Sequence, residues 1–239
     1  MAVLINHLET YAHAMNMRVS ALFSGGKDST YAIYLSQQQG WEVASLLTVV
    51  PEREDSYMFH YPNIRWTELQ AEAMEIPIKH RTSSGEKEKE LEDIQTLMAD
   101  EDVDGFLSGA IASDYQWTRL NGICHGLGKP LYSPLWRKDQ VTLLEDMVHA
   151  GFEFMVIGVY AHGFDEEWLG RMITSETIKD LEELREKFRI SVSGEGGEIE
   201  TFVTNGPNFR KRIHIDEAES SWSQHSGTYR IIKASLMDK

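Results

Sequence analysis

Cysteines, basic residues and long apolar runs are all scarce in this sequence. The single cysteine, Cys124, cannot form an internal disulfide, and this fits a reducing compartment. No run approaches the roughly 18 uninterrupted apolar residues that a membrane helix needs. The N-terminus also lacks the basic region and apolar segment of a secretion signal. We therefore expect a cytoplasmic protein with no membrane association.

The chain is strongly acidic, with 38 Asp and Glu against 23 Lys and Arg and a formal net charge of −15. Binding a nucleic-acid backbone requires clustered lysines and arginines, so this balance argues against an extended nucleic-acid surface. Only a small local basic patch is compatible with it.

The length and apolar content predict an ordinary folded core. With 239 residues, 41% of them hydrophobic, the chain is long enough for one large domain or two small ones. Residues 1–16 precede an internal methionine, Met17, and are interpreted as a leader or extension. We divide the rest into a domain at 17–131 and a subdomain at 132–239.

Strands and helices alternate through the first part of the chain. Short apolar runs predict strands at 19–23, 43–50, 76–80 and 105–111. Helical periodicity predicts helices at 28–39, 65–75, 86–99 and 114–127. This alternation indicates an α/β fold with a doubly wound parallel sheet.

The pattern changes after residue 131. Helices are predicted at 141–150 and 178–188, and strands at 154–160, 199–203, 212–215 and 229–234. Glycine-rich turns separate the later strands. We therefore expect a smaller α+β subdomain at the C-terminus.

The junction between the first strand and the first helix predicts a phosphate site. Ser24, Gly25, Gly26, Lys27 and Ser29 follow the strand directly. Glycines let the backbone approach a ligand closely, and backbone N–H groups meet the positive end of the helix dipole there. Lys27 adds a mobile cation, and the two serines add hydroxyl donors.

Asp28 is the unusual member of this turn. A carboxylate beside a phosphate cradle either holds Mg²⁺ or stabilises the start of the helix. The position also separates the turn from a Walker A loop, in which a serine or threonine follows the lysine.

The sequence SGGKDS resembles the signature of the PP-loop ATP pyrophosphatases. That resemblance implies ATP cleavage between the α and β phosphates, with Lys27 and the glycine turn stabilising the departing pyrophosphate and Mg²⁺ neutralising the phosphates. Because doubly wound sheets bind ligands at the carboxyl ends of their strands, we expect Leu47 and Thr48 near the adenine. For the same reason we expect Ser108, Gly109 and Ala110 near the ribose or the phosphates.

A narrower resemblance covers most of the chain from about Met17. Besides FSGGKDS, it is carried by SGAIASDYQWTRLNGIC at 108–124, LYSPLWRKDQ at 131–140, GFDEEWLGR at 163–171 and GEGGEIETFVTNGPNF at 194–209. With these segments the sequence resembles the diphthine-ammonia ligase family. The resemblance implies amidation of diphthine on translation elongation factor 2 with ATP and ammonium, through an adenylated carboxylate.

The acidic segment of this resemblance offers candidate catalytic groups. In a strand, alternation places Glu198 and Glu200 on one face, and Glu195 precedes them in a turn where Gly196 and Gly197 let the backbone wrap tightly. Such a cluster could bind Mg²⁺, hold ammonium, deprotonate it, or attract the trimethylammonium group of diphthine. The alternative is an exposed turn and a charged edge strand.

Tyr115, Gln116 and Arg119 recur at helical spacing after a strand end. They are candidates for contacting a carboxylate or phosphate of the substrate, against the alternative of an ordinary solvated helix face.

Two other functions fit the same glycine turn. One is a PP-loop ligase for another carboxylate or a tRNA, and the other is a module that binds ATP or AMP without chemistry. A homodimer is an alternative to a monomer.

Overall fold

The computed structural model describes residues 16–51, 63–83 and 87–239. All of the predicted N-terminal leader except Asn16 lies outside these residues, as does Glu86 at the predicted start of the third helix. In the part described, no helix has the length and apolar character to cross a membrane.

The first part of the chain forms a five-stranded parallel sheet. Its strands are β1 (Arg18–Leu22), β2 (Glu42–Pro51), β3 (Ile78–Ser83), β4 (Gly105–Leu107) and β5 (Leu131–Tyr132). They lie in the order β3-β2-β1-β4-β5, and every neighbouring pair is parallel. The central strand β1 is apolar and buried over most of its length, as expected for a strand covered on both faces.

Helices connect these strands. They are α1 (Lys27–Gln38), α2 (Thr67–Met74), which follows a 3-10 turn at Ile64–Trp66, α3 (Lys87–Ala99) and α4 (Asp114–Gly126). The helix α1 ends at Gln38 and is followed two residues later by Gly40, which has φ of +82°, a conformation that glycine adopts at little cost. Ser113 caps α4 by accepting a hydrogen bond from the Gln116 amide.

The second part of the chain builds an antiparallel sheet. Its elements are α5 (Gln140–His149), β6 (Glu153–Val159), α6 (Ser175–Phe188), β7 (Ile199–Asn205), β8 (Lys211–Ser223) and β9 (Ser226–Asp238). The strand order is β7-β6-β9-β8. The fold class predicted from the sequence is confirmed: a parallel α/β sheet is followed by an antiparallel α+β part.

One hydrophobic cluster joins the two parts. It runs from Val19 and Ile33 to Phe154, Phe202 and Ile231, all fully or almost fully buried. A second cluster lies under the parallel sheet and includes Phe106, Met98 and Cys124. Burial raises the pKa of the Cys124 thiol to about 11, so this cysteine is an unreactive packing residue.

The strands β4, β5, β8 and β9 show the largest differences from the prediction. The strand predicted at 105–111 ends at Leu107, because the chain turns there into the loop that leads to α4. A short fifth strand, Leu131–Tyr132, was not predicted. The strands β8 and β9 have 13 residues each and form one long hairpin, where only 212–215 and 229–234 were predicted.

Candidate active site

The glycine turn lies at the carboxyl end of β1, between this strand and α1. Gly25 has φ of +79°, which a residue with a side chain adopts only with strain. A Cβ at Gly25 would also lie 2.3 Å from Oε1 of the buried Gln70. The turn therefore requires glycine at this position, both for its backbone conformation and for space.

The strand β7, from the other part of the chain, packs against this turn. The Thr201 hydroxyl accepts a hydrogen bond from the Lys27 amide at 3.2 Å, and the Val203 amide donates to the Gly25 carbonyl at 3.2 Å. Gln70 Nε2 donates to the carbonyls of both Gly25 and Val203 at 2.8 Å. These bonds fix the position of the antiparallel sheet relative to the glycine turn.

Lys27 is held in place, whereas the sequence predicted a mobile cation. Its side chain is 4% exposed, and Nζ donates to Asp28 Oδ2 at 2.8 Å and to the Ser193 carbonyl at 2.6 Å. An ammonium group has three donors, and the described residues supply acceptors for two of them, so the third is available for a ligand.

Asp28 balances this charge in a desolvated position. Burial raises the pKa of its carboxyl group, and the neighbouring Lys27 opposes that rise. Its second oxygen, Oδ1, is buried and has no hydrogen-bond partner in the described structure. A buried carboxylate oxygen without a partner is a feature that calls for a ligand, a water or a cation.

A cavity of about 580 Å³ lies between the glycine turn and the segment that leads into β7. Fifteen of the nineteen site residues expected from the sequence line it: Ser24, Gly26, Lys27, Asp28, Ser29, Leu47, Ser108, Gly109, Ala110, Tyr115, Gln116, Arg119, Glu195, Gly197 and Glu200. Volumes of this order suit a nucleotide or another molecule of drug-like size.

One side of the cavity wall is apolar. Leu22, Leu47, Val49, Leu91 and Ile94 come from β1, β2 and α3 and line the space beside the strand ends. Such a surface suits the faces of a nucleobase, while the glycine turn and Lys27 offer polar and charged groups.

The loop after β4 lies unusually close to the start of α1. A Cβ at Gly109 would lie 2.6 Å from the backbone carbon of Asp28 and 2.6 Å from the backbone nitrogen of Ser29. Only glycine fits this approach without moving backbone. The close contact brings Ser108 and Ala110 into the same cavity as the glycine turn.

The three acids of the GEGGEIE segment have separate partners. Glu195 Oε1 accepts hydrogen bonds from the amides of Ile111, Ala112 and Ser113 at 3.2, 2.8 and 2.9 Å. This carboxylate therefore connects the second part of the chain to the loop between β4 and α4.

Glu198 interacts with its own loop. Its Oε1 accepts a hydrogen bond from the Ser191 amide at 2.9 Å, and a Cβ at Gly196 would lie 2.7 Å from that oxygen. The residue does not line the cavity.

Glu200 lies in the cavity wall on β7. Burial raises the pKa of its carboxyl group to about 8, while a hydrogen bond from Tyr160 at 3.4 Å opposes the rise. In the described ranges, no group of three or more His, Cys, Asp or Glu side chains could hold a metal ion. The structure therefore does not support a Mg²⁺ site built from the three acids together.

Four predicted site residues lie outside the cavity wall: Gly25, Thr48, Gly196 and Glu198. Thr48 is buried, and its hydroxyl donates to the Phe23 carbonyl at 2.8 Å. It therefore connects β2 to the end of β1, and of the two residues expected near the adenine only Leu47 lines the cavity.

The residues predicted on α4 do face the cavity. Tyr115, Gln116 and Arg119 are all part of its wall, and the Arg119 guanidinium lies 4.0 Å from the centre of the Tyr115 ring. Tyr115 is 40% exposed, so this pair borders the opening to solvent.

Sequence reasoning missed four residues that shape the site: Gln70, Tyr160, Ser193 and Thr201. Thr201 directly follows the acidic segment, and Tyr160 is the last residue of the strand predicted at 154–160. Their positions next to these predicted features are the signal that could have identified them. Ser193 acts through its backbone carbonyl, which no side-chain pattern reveals.

Comparisons with known proteins agree with this arrangement. The family model described as diphthamide synthase N-terminal domain matches residues 17–130, and the one described as diphthamide synthase C-terminal domain matches residues 139–237. Two curated relatives, both called diphthine–ammonia ligase, are 34% identical: the protein of Rattus norvegicus over 85% of each chain, and that of Homo sapiens over 85% of this chain and 84% of its own.

A third relative of the same name, from Schizosaccharomyces pombe, is 34% identical over 93% of this chain and 40% of its own length. The two family models together cover most of the chain and both parts of the candidate site. This chain belongs to the diphthamide synthase family.

Proposed function

We propose that this protein is an ATP-dependent ligase that converts the carboxylate of diphthine on translation elongation factor 2 into an amide. The carboxylate would attack the α-phosphorus of ATP, pyrophosphate would leave, and ammonia would displace AMP from the adenylated carboxylate. The observation that carries the proposal is the single cavity in which a PP-loop glycine turn faces the acidic segment of the second part. The name shared by the relatives supports the same reaction.

The glycine turn supplies the groups that the first step needs. The start of α1, whose N-cap Gly26 carries no side chain, presents backbone N–H groups to an anion. Lys27 stands at the same point, already desolvated and held by Asp28 and Ser193. A cation fixed before the reaction stabilises charge that grows on the leaving pyrophosphate without being reorganised.

Asp28 is the residue that we propose for holding Mg²⁺. Its Oδ1 is buried without a partner, and Mg²⁺ commonly binds proteins through one or two carboxylates while substrate phosphates and waters complete its shell. The residues present therefore fit the ion. When bound, Mg²⁺ would neutralise phosphate charge.

The mouth of the cavity is where we propose that the protein substrate enters. Tyr115, Gln116 and Arg119 border this opening, and a guanidinium there suits a carboxylate. Diphthine is a side chain on a large protein, so its reacting end must reach in from outside. We place the reaction in the cytoplasm, where elongation factor 2 works, and a homodimer stays a prediction.

The products of ATP cleavage test this proposal directly. Incubation with ATP, ammonium and elongation factor 2 bearing diphthine should give AMP and pyrophosphate, and formation of ADP and phosphate would contradict it. Tight ATP binding with no cleavage would indicate a nucleotide-binding module. Turnover that does not depend on the factor would indicate another acceptor.

Lys27→Ala should lower kcat at least 100-fold, because a preorganised charge at the leaving group typically contributes that much or more. Lys233→Ala is the matched control, since Lys233 is an exposed lysine on β9 and should leave turnover unchanged. Full turnover in the Lys27 variant would contradict the role that we propose for the glycine turn in stabilising the leaving pyrophosphate.

A further inference from the structure

Glu200 differs from the other acids around the cavity in its surroundings. Asp28 has the Lys27 ammonium beside it, and Glu195 has three backbone amides. At Glu200, burial raises the pKa of the carboxyl group and a hydrogen bond from Tyr160 lowers it, and no cation of the described residues contributes. A desolvated carboxylate with one weak neutral partner is a site for a positively charged ligand.

Gly158 provides the space for this pair of oxygens. It lies on β6 directly opposite Glu200 in the antiparallel ladder. A Cβ at this position would lie 2.8 Å from the Tyr160 hydroxyl and 3.0 Å from Glu200 Oε2. The absence of a side chain at 158 therefore lets the hydroxyl and the carboxylate lie together over the strand.

The two oxygens are 3.4 Å apart, which is long for a hydrogen bond between a hydroxyl and a carboxylate. A nitrogen with several N–H groups could donate to both at once. A quaternary ammonium offers no N–H donor and no proton, so this pair of oxygens matches an ammonium ion better.

We infer that Glu200 and Tyr160 form the ammonium subsite of this enzyme, and that Glu200 takes the proton that converts ammonium into ammonia. The inference rests on the proposed function, since it supplies the nucleophile of the second step. Of Glu195, Glu198 and Glu200, only Glu200 contacts a substrate in this proposal.

The proton transfer is balanced as follows. Ammonium gives one proton to the Glu200 carboxylate, leaving ammonia with a free lone pair. That lone pair forms the C–N bond while the acyl C–O bond to AMP breaks and its electron pair stays on the AMP phosphate. The surplus proton on the new nitrogen passes to the departing AMP, and Glu200 returns its proton to water.

Burial at this position makes the transfer easier. An ordinary carboxyl group is far too acidic to take a proton from ammonium, whereas the raised pKa of Glu200 brings the two groups closer together. Before ammonium arrives, the raised pKa favours the neutral form of Glu200 at neutral pH. An approaching cation favours the ionised form and so draws its proton off to solvent.

Glu200→Gln in the full chain tests this subsite. The adenylation step is measured alone as pyrophosphate exchange into ATP that depends on the diphthine-bearing factor, with no ammonium present. We expect this exchange to stay within about twofold of the wild type. With ammonium at neutral pH, kcat/KM for ammonium should fall about 100-fold or more, the usual contribution of a general base.

Hydroxylamine separates proton removal from other effects. It is largely unprotonated at neutral pH, so it needs no base, and the Glu200→Gln variant should still form the hydroxamate at close to the wild-type rate. The matched control is Glu219→Gln, an exposed acid on β8, which should resemble the wild type with both nucleophiles.

A second variant covers the case in which Glu200→Gln does not fold. Gly158→Ala keeps both oxygens but displaces them, and it should raise KM for ammonium while leaving KM for ATP unchanged. Failure to see that selective rise would overturn the inference.

The remaining outcomes are also decisive. If Glu200→Gln raised KM for the elongation factor and left KM for ammonium unchanged, the carboxylate would bind the quaternary ammonium of diphthine instead. If it abolished pyrophosphate exchange, Glu200 would belong to adenylation. If the wild type itself showed no exchange, the proposed function would fail rather than the subsite.

Discussion

Glu195 carries the most specific single contact between the two parts of the chain. One carboxylate oxygen accepts hydrogen bonds from three consecutive amides, those of residues 111–113, just before α4 begins at Asp114. Negative charge is favourable at that end of a helix. The contact holds the loop that carries Ser108 and Ala110 against the cavity. We therefore propose that Glu195 positions this loop.

Replacing this carboxylate should loosen the loop. Glu195→Ala should lower the free energy of unfolding by about 1–3 kcal/mol, because three partly buried amides lose their acceptor, and it should weaken ATP binding. Glu195→Gln keeps an acceptor oxygen and should recover most of both. Urea denaturation and ATP titration measure the two effects.

A different result would give Glu195 a chemical role. If Glu195→Gln were as inactive as Glu195→Ala while both kept wild-type stability and ATP affinity, the carboxylate itself would take part in the reaction.

Glu101 links three strands of the parallel sheet through hydrogen bonds and an ion pair. This residue follows α3, and its side chain is 4% exposed. Oε2 accepts from Ser20 of β1 and Ser45 of β2, both at 2.6 Å, and Oε1 forms an ion pair with Lys79 of β3. Burial would raise the pKa of Glu101, but these hydrogen bonds outweigh it and the pKa is lowered below its usual 4.5.

The lowered pKa gives this network a defined pH dependence. A carboxyl group whose pKa falls on folding stabilises the folded state above its unfolded pKa and loses that effect as pH drops through the folded value. Glu101→Gln should therefore cost about 1–3 kcal/mol at pH 7, and the difference from the wild type should shrink below pH 4.5.

Denaturation at a series of pH values measures this difference. The control is Glu72→Gln, an exposed acid on α2, which should leave stability nearly unchanged at every pH. A gap between Glu101→Gln and the wild type that stayed constant from neutral pH down to strongly acidic conditions would contradict the assignment.

The elements themselves were predictable where the signal is local. Apolar runs and helical periodicity located β1, β2 and α1, because these signals depend on neighbouring residues alone. The Ser-Gly-Gly turn between β1 and α1 was found in the same way, and the anion site there stays a prediction. The length of the β8–β9 hairpin was underestimated, because Glu217, Glu219 and Ser221 make much of β8 polar and exposed. Exposed pairing of this kind leaves little hydrophobic pattern.

For the whole molecule, the site depends on contacts that no local pattern encodes. The Lys27 amide donates a hydrogen bond to Thr201, and Gln70 donates to the carbonyls of Gly25 and Val203. The pairs Lys27–Thr201 and Gln70–Val203 are each more than 100 residues apart along the chain. The resemblance selected the acidic segment as a candidate, but the separate surroundings of Glu195, Glu198 and Glu200 come from tertiary packing. The sequence therefore predicts which residues line the cavity more readily than the contacts that each of them makes.

The shared core explains why both parts are needed. The apolar cluster that contains Val19 and Ile33 of the parallel part also contains Phe202 and Ile231 of the antiparallel part. Because residues from both parts of the chain line the cavity, the position of each wall depends on the packing of this shared apolar cluster. We propose that the carboxylate of diphthine is joined to the α-phosphorus of ATP in this cavity.

Transfer of a labelled oxygen from the diphthine carboxylate to AMP tests this proposal. Elongation factor 2 whose diphthine carboxylate is labelled with ¹⁸O should pass one labelled oxygen to AMP, as mass spectrometry of the isolated AMP would show. Unlabelled AMP, or label recovered in inorganic phosphate together with ADP, would contradict an adenylated carboxylate and with it the proposed use of the glycine turn.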